Sequence, residues 1–547
     1  MTDQNIMAAL PQLPSSGSWE ELLQPAGWPA LEQALPGYMR ARRWFGGKAR
    51  PVESTRVQAA MPLPYAGAAA YLALVRVGYA DGEPETYVLP LAFADAARAA
   101  ALARDLPHAL VARVGGGALF DPLYDAEFCA ALLGLVESEA RIPSPDGELV
   151  ASTTPAFAEL RGPAGAALAP KVSTAEQSNS SIIYGDRLIM KLFRRLEPGL
   201  NPDLEIGRFL TERGAFGNIP PMAGAIEYRR DGTPMSLALL QGFVPNRGDA
   251  WYYTLDSIAE AFRRVLNAPP AGLEPYDRAA PLELAGHELP AGARELLGDY
   301  LASAELLGRR TGELHLALAS DSSDPDFAPE PCDPAYQAAV AESMAGRARQ
   351  SFDLLRQGLG GLPESLRGDA AHVLELEQEI HQRLSGALAR PIGARRTRIH
   401  GDYHLGQVLY SGSDFFIIDF EGEPARPLAE RRMKSLALQD VAGMLRSLHY
   451  APYAVLLGQA PGAAFDEAQF ATLEPWARRW HQWASAAFLR SYLAAAGAAP
   501  FLPQDRAELS ALLDVYLLDK AVYELRYELN NRPTWARIPI EGIMQLV

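Results

Sequence analysis

Two short runs, HGDYHLGQ over 400–407 and IIDFEG over 417–422, hold the residue types that phosphoryl transfer needs. Such a transfer asks for a carboxylate that orients or deprotonates the acceptor hydroxyl, hard oxygen donors for Mg2+, and positive charge against the triphosphate. Asp402 is the candidate base, while Gln407 offers an amide oxygen and Asp419 a carboxylate to the metal. The stretch VLY–SGSD–FFI between them reads as a hairpin turning at Ser411–Asp414, which returns Asp419 towards the loop that holds Asp402 and Gln407. A lone loop aspartate is usually a turn or cap residue; three oxygen-bearing groups at this spacing point to chemistry instead. His400 and His404 are four apart, but Gly401 and Gly406 spoil a helix, so the two rings do not share one face as a zinc pair would. His400 reads as a loop residue that bonds to backbone, and His404 reads equally as structural or as facing a substrate.

A triphosphate also needs a placed cation. Lys191 lies on the second strand of a hairpin, SSIIY–GD–RLIMKLF (180–193), for which Gly185-Asp186 is a two-residue turn signal. Glu205 opens the next helix, NPDLEIGRFLTERG (201–214), where Asn201 caps, Pro202 suits the first position and Gly214 marks the end. A strand lysine paired with a helix carboxylate is the device that holds ATP phosphates in kinase-like lobes. Alone, such a lysine is a snorkelling surface residue; the downstream hairpin tips the balance towards function. In the preceding turn, AEQSNSS (175–181), Ser178, Asn179 and Ser180 offer hydroxyl, amide and backbone N–H groups to phosphate, although Ser/Asn clusters are also plain turns. No GxxxxGK[ST] loop is present. The run QGFV (241–244) supplies backbone groups of Gln241, Phe243 and Val244 to an adenine ring.

Near the end of the chain Tyr523 and Tyr527 are four apart, as are Glu524 and Glu528, with Lys520 four before Glu524. On a helix these rows lie side by side. They suit a sugar site, aromatic faces for C–H surfaces and carboxylates for hydroxyls, and they suit equally an amphipathic helix with two core tyrosines.

These pieces need a scaffold. At 547 residues the chain is long enough for two to four domains, and 48% hydrophobic residues allow a sizeable core. The charge of −16, from 50 Lys+Arg against 66 Asp+Glu, argues against nonspecific binding to nucleic acid or an anionic membrane. Two cysteines, Cys129 and Cys332, build neither a disulfide framework nor a zinc set. The opening MTDQNIMAALPQLPSSGSWE has no signal-peptide pattern, and no apolar run approaches the ~20 residues of a membrane helix, so a cytoplasmic protein is expected. YLALVRVGYA (71–80) and TYVLPLAF (86–93) are strands separated by a DGEPE turn, residues 139–170 read as a connector with some strand, and the chain is mainly helical from about 251. The expected class is α+β, a β-rich part followed by a helical one.

Seven segments in order resemble the bacterial maltokinase family, within the aminoglycoside-phosphotransferase-like branch of the protein-kinase-like fold: RRWFGGKAR (42–50), EQSNSS (176–181), LFRRLEPGLNPDLEIGRFL (192–210), HGDYHLGQVL (400–409), DFEGEPARPLAERR (419–432), QDVAGMLRSLHYA (439–451) and YELRYELNNRPTWARIP (523–539). The resemblance implies a bilobal fold: a flexible lead over 1–20, an N-terminal cap subdomain over 21–138, an intermediate nucleotide-binding subdomain over 139–243 and a mainly α-helical C-lobe over 244–547. It implies phosphorylation of maltose by ATP and Mg2+ at the anomeric hydroxyl, giving maltose 1-phosphate for α-glucan or glycogen synthesis. Asp402 then matches the base, Gln407 and Asp419 the metal ligands, Lys191 and Glu205 the phosphate pair, and the AEQSNSS turn the phosphate loop. Substrate contacts are expected from His404, Glu421, Arg431, Tyr523, Glu524 and Tyr527. Trehalose synthase, fused or associated, is the implied partner. The rival expectations are a kinase for glucosamine or an aminoglycoside, and a noncatalytic partner of trehalose synthase.

Overall fold

The computed structural model describes all residues except 1–2, 15–17, 66–67, 164, 174–177, 272–279, 461 and 463. The chain divides into two units, Met1–Gly214 with Pro220–Pro245, and Ala215–Ile219 with Asn246–Val547. The first carries two sheets and the second is mainly helical, which is the expected α+β, bilobal plan.

Among the described residues, one seven-stranded sheet of the first unit is built on the long antiparallel pair Val52–Tyr65 and Ala68–Tyr79, continued by Glu85–Ala94. Alternating Val, Leu and Tyr on these strands send one set of side chains to each face. One face closes over the helix Trp28–Arg40 and the other over Ala126–Glu137, giving two apolar cores. The expected lead over 1–20 holds a helix, Asp3–Ala9, and a strand, Gln12–Leu13, paired parallel to Leu110–Val114.

The second sheet runs Arg141–Ser144, Gly147–Thr153, Met222–Arg230, Thr233–Gly242, Leu188–Phe193, Asn179–Tyr184, Pro170–Val172 in spatial order. Residues 139–170, expected as a connector with some strand, hold the edge strand Arg141–Ser144, its neighbour Gly147–Thr153, which pairs with Met222–Arg230, and a short helix, Phe157–Arg161. The Asn179–Phe193 hairpin forms, but Tyr184 pairs with Leu188, so its loop is the three residues 185–187 and not the expected two. Arg187 leaves the ladder because its carbonyl accepts from the Phe243 amide at 2.8 Å and its guanidinium donates to the carbonyls of Leu160 and Glu159 at 2.9 and 2.8 Å. The helix Pro202–Arg213 has the expected ends: the Asn201 side chain accepts from the Asp203 amide, and Gly214 turns left-handed at φ 61°.

The second unit packs Ala250–Asn267, Tyr300–Leu318, Pro334–Gly358, Leu438–Leu456, Glu467–Ala496 and Arg506–Asn531. Leu438–Leu456 is buried along nearly its whole length, the mark of a central helix. No helix among the described residues is long and apolar enough to cross a membrane.

Two imidazoles, His449 on this central helix and His481 packed against it with ring centres 4.7 Å apart, make stability depend on pH. Burial first, then the field of Arg446, pushes His481 from its ordinary 6.5 down to about 3, and burial with Arg446 pushes His449 well below the same value. Below about pH 6.5 the unfolded chain takes up protons that the folded one refuses, so acid favours unfolding. Each imidazole then removes about 1.4 kcal/mol per pH unit over the window down to the folded pKa. The urea midpoint is expected to fall steadily from pH 6.5 to pH 4.5, and less steeply in His481→Gln. Equal slopes in the two proteins would contradict this.

Candidate active site

The 400–407 run forms a loop ending in a single 3-10 turn, Leu405–Gln407, capped by His404, whose Nδ1 accepts from the Gly406 amide at 3.1 Å. Burial holds the His404 imidazole below its ordinary pKa, against the raising effect of Asp402. Its ring is thus spent on the loop itself. His400 does what the glycine-flanked loop predicts: Nε2 donates to the Ile418 carbonyl at 2.9 Å. The strands Val408–Tyr410 and Phe415–Ile417 pair from Val408↔Ile417 to Tyr410↔Phe415, and the turn Ser411–Asp414 closes with a 2.9 Å backbone bond.

This hairpin brings Gln407 and Asp419 together, with Gln407 Nε2 donating to Asp419 Oδ2 at 2.9 Å. Asp419 has φ 66°, a left-handed conformation that costs a non-glycine residue about 1–2 kcal/mol and is tolerated best by Asp and Asn. Gly401, at φ +85°, lets the two loops abut: a Cβ there would meet the Gly422 Cα at 3.3 Å.

Asp440, which sequence reasoning did not single out, anchors the loop from the central helix. Its carboxylate accepts the amides of His400 at 2.7 Å and Gly401 at 2.9 Å, and faces His315 Nε2 at 3.1 Å. Burial alone would raise its pKa; the hydrogen bond and charge of His315, with the loop amides, outweigh that and hold it below the usual carboxylate range. Three residues along the same helix, Gly443 lies against the loop, where a Cβ would come within 2.6 Å of the Tyr403 carbonyl oxygen. The signal available in the sequence was the one carboxylate of a largely apolar helix.

Asp402 opens on a cavity of about 390 Å³ within the second unit. The helix Arg506–Asn531 lines it with Tyr516, Asp519, Lys520 and Tyr523, and the helix Pro334–Gly358, packed against it, with Ala339, Val340 and Met344. Lys520 Nζ stands 3.8 Å from Asp402 Oδ1. Glu423 is hydrogen-bonded to Tyr523 and paired with Arg426 at 3.0 Å. Although burial raises the Glu423 pKa, these partners lower it overall; burial and then Glu423 push Tyr523 above the ordinary phenol value. Asp519 holds Arg347 through both carboxylate oxygens, the shorter contact being 2.8 Å. Each of these three cavity carboxylates, Asp402, Glu423 and Asp519, thus has a cation beside it.

Of the residues expected to touch substrate, Arg431 and Tyr523 join Asp402 in this lining; His404, Glu421, Glu524 and Tyr527 are not among the described lining residues. Arg431 is braced by the carbonyls of Arg426 and Glu421 at 3.1 and 3.2 Å. Glu524 is drawn the other way, into a largely buried pair with Arg446 at 2.7 and 2.9 Å. Tyr527 continues the stripe of Tyr523 but lies one turn beyond the cavity and is 47% exposed.

In the first unit, Lys191 Nζ is 3.2 Å from Asp203 Oδ2, a first-turn carboxylate two positions before the expected Glu205. Asp203 and Glu205 are both buried at the positive end of the helix Pro202–Arg213. Ser180 is the second residue of the strand Asn179–Tyr184, and its hydroxyl accepts from Arg194 Nε at 2.9 Å. Ser178 is exposed in the bend before it, Asn179 is the first strand residue, and positions 174–177 of the expected phosphate turn lie outside the described residues. Gln241 is the penultimate residue of the strand Thr233–Gly242, opposite Ile189, and Phe243 and Val244 follow the strand.

The family model described as the maltokinase N-terminal cap domain matches residues 38–127, which carry most strands of the first sheet. A glucosamine kinase of Streptacidiphilus jiangxiensis is 25% identical over 382 residues, 68% of this chain and 72% of that relative. One of Mycolicibacterium smegmatis is 27% identical over 277 residues, 50% of this chain and 57% of the relative. The solved structure of a glucosamine kinase in complex with glucosamine, ADP and inorganic phosphate superposes with TM-score 0.61 at 20% identity, covering 97% of this chain and all of that one. A second crystal form gives TM-score 0.62 at the same identity. At that identity the likeness is one of fold. The chain is thus similar to maltokinases over residues 38–127, and along its length it has the α+β, bilobal protein-kinase-like fold.

Proposed function

We propose that this protein transfers the γ-phosphoryl group of ATP to the anomeric hydroxyl of maltose, giving maltose 1-phosphate for α-glucan synthesis. The observation that carries the reading is Asp402, held by an Asp440-anchored loop and facing a cavity of about 390 Å³, within the size range of small-molecule sites. Asp402 accepts the proton as the hydroxyl attacks, and Tyr523 offers an aromatic surface to the ring. Lys191, set by Asp203, carries positive charge to the nucleotide phosphates, with Glu205 in the same helix turn and the hydroxyl and amide groups of Ser178, Asn179 and Ser180 beside the strand. Gln241, Phe243 and Val244 offer backbone groups to adenine.

The donor set fits a hard cation: Gln407 and Asp419 are an amide and a carboxylate locked side by side, with no soft ligand in the pair. Mg2+, when bound there, supplies charge neutralisation on the phosphates. Trehalose synthase, fused or associated, is the partner this reading takes.

The matched charges around the cavity favour a neutral acceptor. The names of the relatives favour glucosamine, and this is the second reading. Initial rates of ATP consumption with maltose, glucose, glucosamine and kanamycin separate the two, with 31P NMR locating the phosphate on the product. Maltose is expected to turn over fastest, and faster turnover of glucosamine would reject the maltose assignment. Lys191→Met is expected to raise the KM for ATP about tenfold or more while leaving the KM for maltose within twofold; an unchanged ATP KM would remove Lys191 from the site.

A further inference from the structure

Lys520 belongs to the helix Arg506–Asn531 and has no place in the roles assigned so far. Its ammonium stands 3.8 Å from Asp402 Oδ1 and 5.0 Å from the centre of the Tyr523 ring, so it occupies the polar end of the cavity beside the reacting carboxylate. About two-thirds of its side chain is shielded from solvent, and its field also reaches Glu423 and His404. In other words, the position beside Asp402 that an ammonium-bearing acceptor would find attractive is already filled by the protein's own ammonium.

We propose that Lys520 is a specificity-determining residue that admits neutral sugars and rejects cationic amino sugars. This inference rests on the reading of Asp402 as the phosphoryl-transfer base. A neutral hydroxyl approaching Asp402 accepts a hydrogen bond from Lys520 at no electrostatic cost. A protonated amine in the same cavity meets a like charge in a partly desolvated space, and at Asp402, Glu423 and Asp519 it competes with a cation already in place. Specificity by repulsion of the wrong ligand needs only one such group.

The cleanest probe is the pair glucose and glucosamine, which differ only in the hydroxyl or ammonium at carbon 2. The ratio of their kcat/KM values is measured for the wild-type chain, Lys520→Met, which keeps most of the stem without its charge, and Lys520→Arg, which keeps the charge. Wild type is expected to favour glucose at least tenfold, Lys520→Met to shrink that ratio at least tenfold, and Lys520→Arg to keep it within about threefold. Three results overturn the assignment: a ratio in Lys520→Met within twofold of wild type, an equal loss on both sugars, or a loss of discrimination in Lys520→Arg as large as that in Lys520→Met. If Lys520→Met is too poorly folded to turn over, Lys520→Gln is read the same way. A wild-type chain that prefers glucosamine also rejects the neutral-acceptor reading, whereas one that phosphorylates no sugar at all rejects the kinase reading itself, so the three failures are told apart.

Discussion

Asp402→Asn is expected to lower kcat for maltose phosphorylation by about 10²–10⁴-fold, the span that a positioned general base contributes. The side chain keeps its shape, so the loop should survive: its backbone is tied through His400 and Gly401 to Asp440, and these bonds do not involve the Asp402 carboxylate. ATP binding, measured by calorimetry, should stay within about twofold. Removing the carboxylate also leaves Lys520 without the partner at 3.8 Å, and a cavity with an uncompensated ammonium binds a neutral sugar no better. Full activity in this variant would end the assignment of Asp402 as the base.

Asp440→Asn is the second large effect, and it reaches the chemistry from a distance. The carboxylate, itself buried, spreads one negative charge over the amides of buried His400 and half-buried Gly401 and over buried His315, all within 3.1 Å. An asparagine can offer one oxygen to one amide, but its NH2 must then face another N–H. The cost of breaking such a buried charged arrangement is about 3–5 kcal/mol of stability, read as a lower urea midpoint. The loop it releases carries Asp402, and a displacement of about 1 Å at a reacting group is enough for roughly 10²-fold in rate. The expected signature is therefore a drop in kcat together with a drop in stability, with the KM for ATP little changed. A stable, fully active Asp440→Asn would show that the loop keeps its conformation without this anchor.

Much of the local architecture was legible from residue order. Asn201-Pro202 and Gly214 mark the two ends of a helix because capping and left-handed closure depend on the residue itself and its immediate neighbours. The hairpin carrying Gln407 and Asp419 was likewise readable, since the SGSD turn and the flanking apolar triplets are local signals. The Gly185-Asp186 turn was read one residue too short. The group that pulls Arg187 into the loop is the amide of Phe243, far along the chain, and no dipeptide rule contains it.

The sequence by itself determined the local elements on which the candidate phosphoryl-transfer residues sit, because motif spacing, caps and turns are short-range properties of the chain. Only the tertiary structure decided the company they keep: Asp203 at 3.2 Å from Lys191, Asp440 beneath the 400–407 loop, Lys520 against Asp402, and Glu524 drawn off to Arg446 while Tyr523, one position before it, lines the cavity. The physical reason is that adjacent helix positions point about 100° apart. Which of them faces the cavity and which meets an arginine depends on the neighbouring helices, and packing between distant segments sets their position.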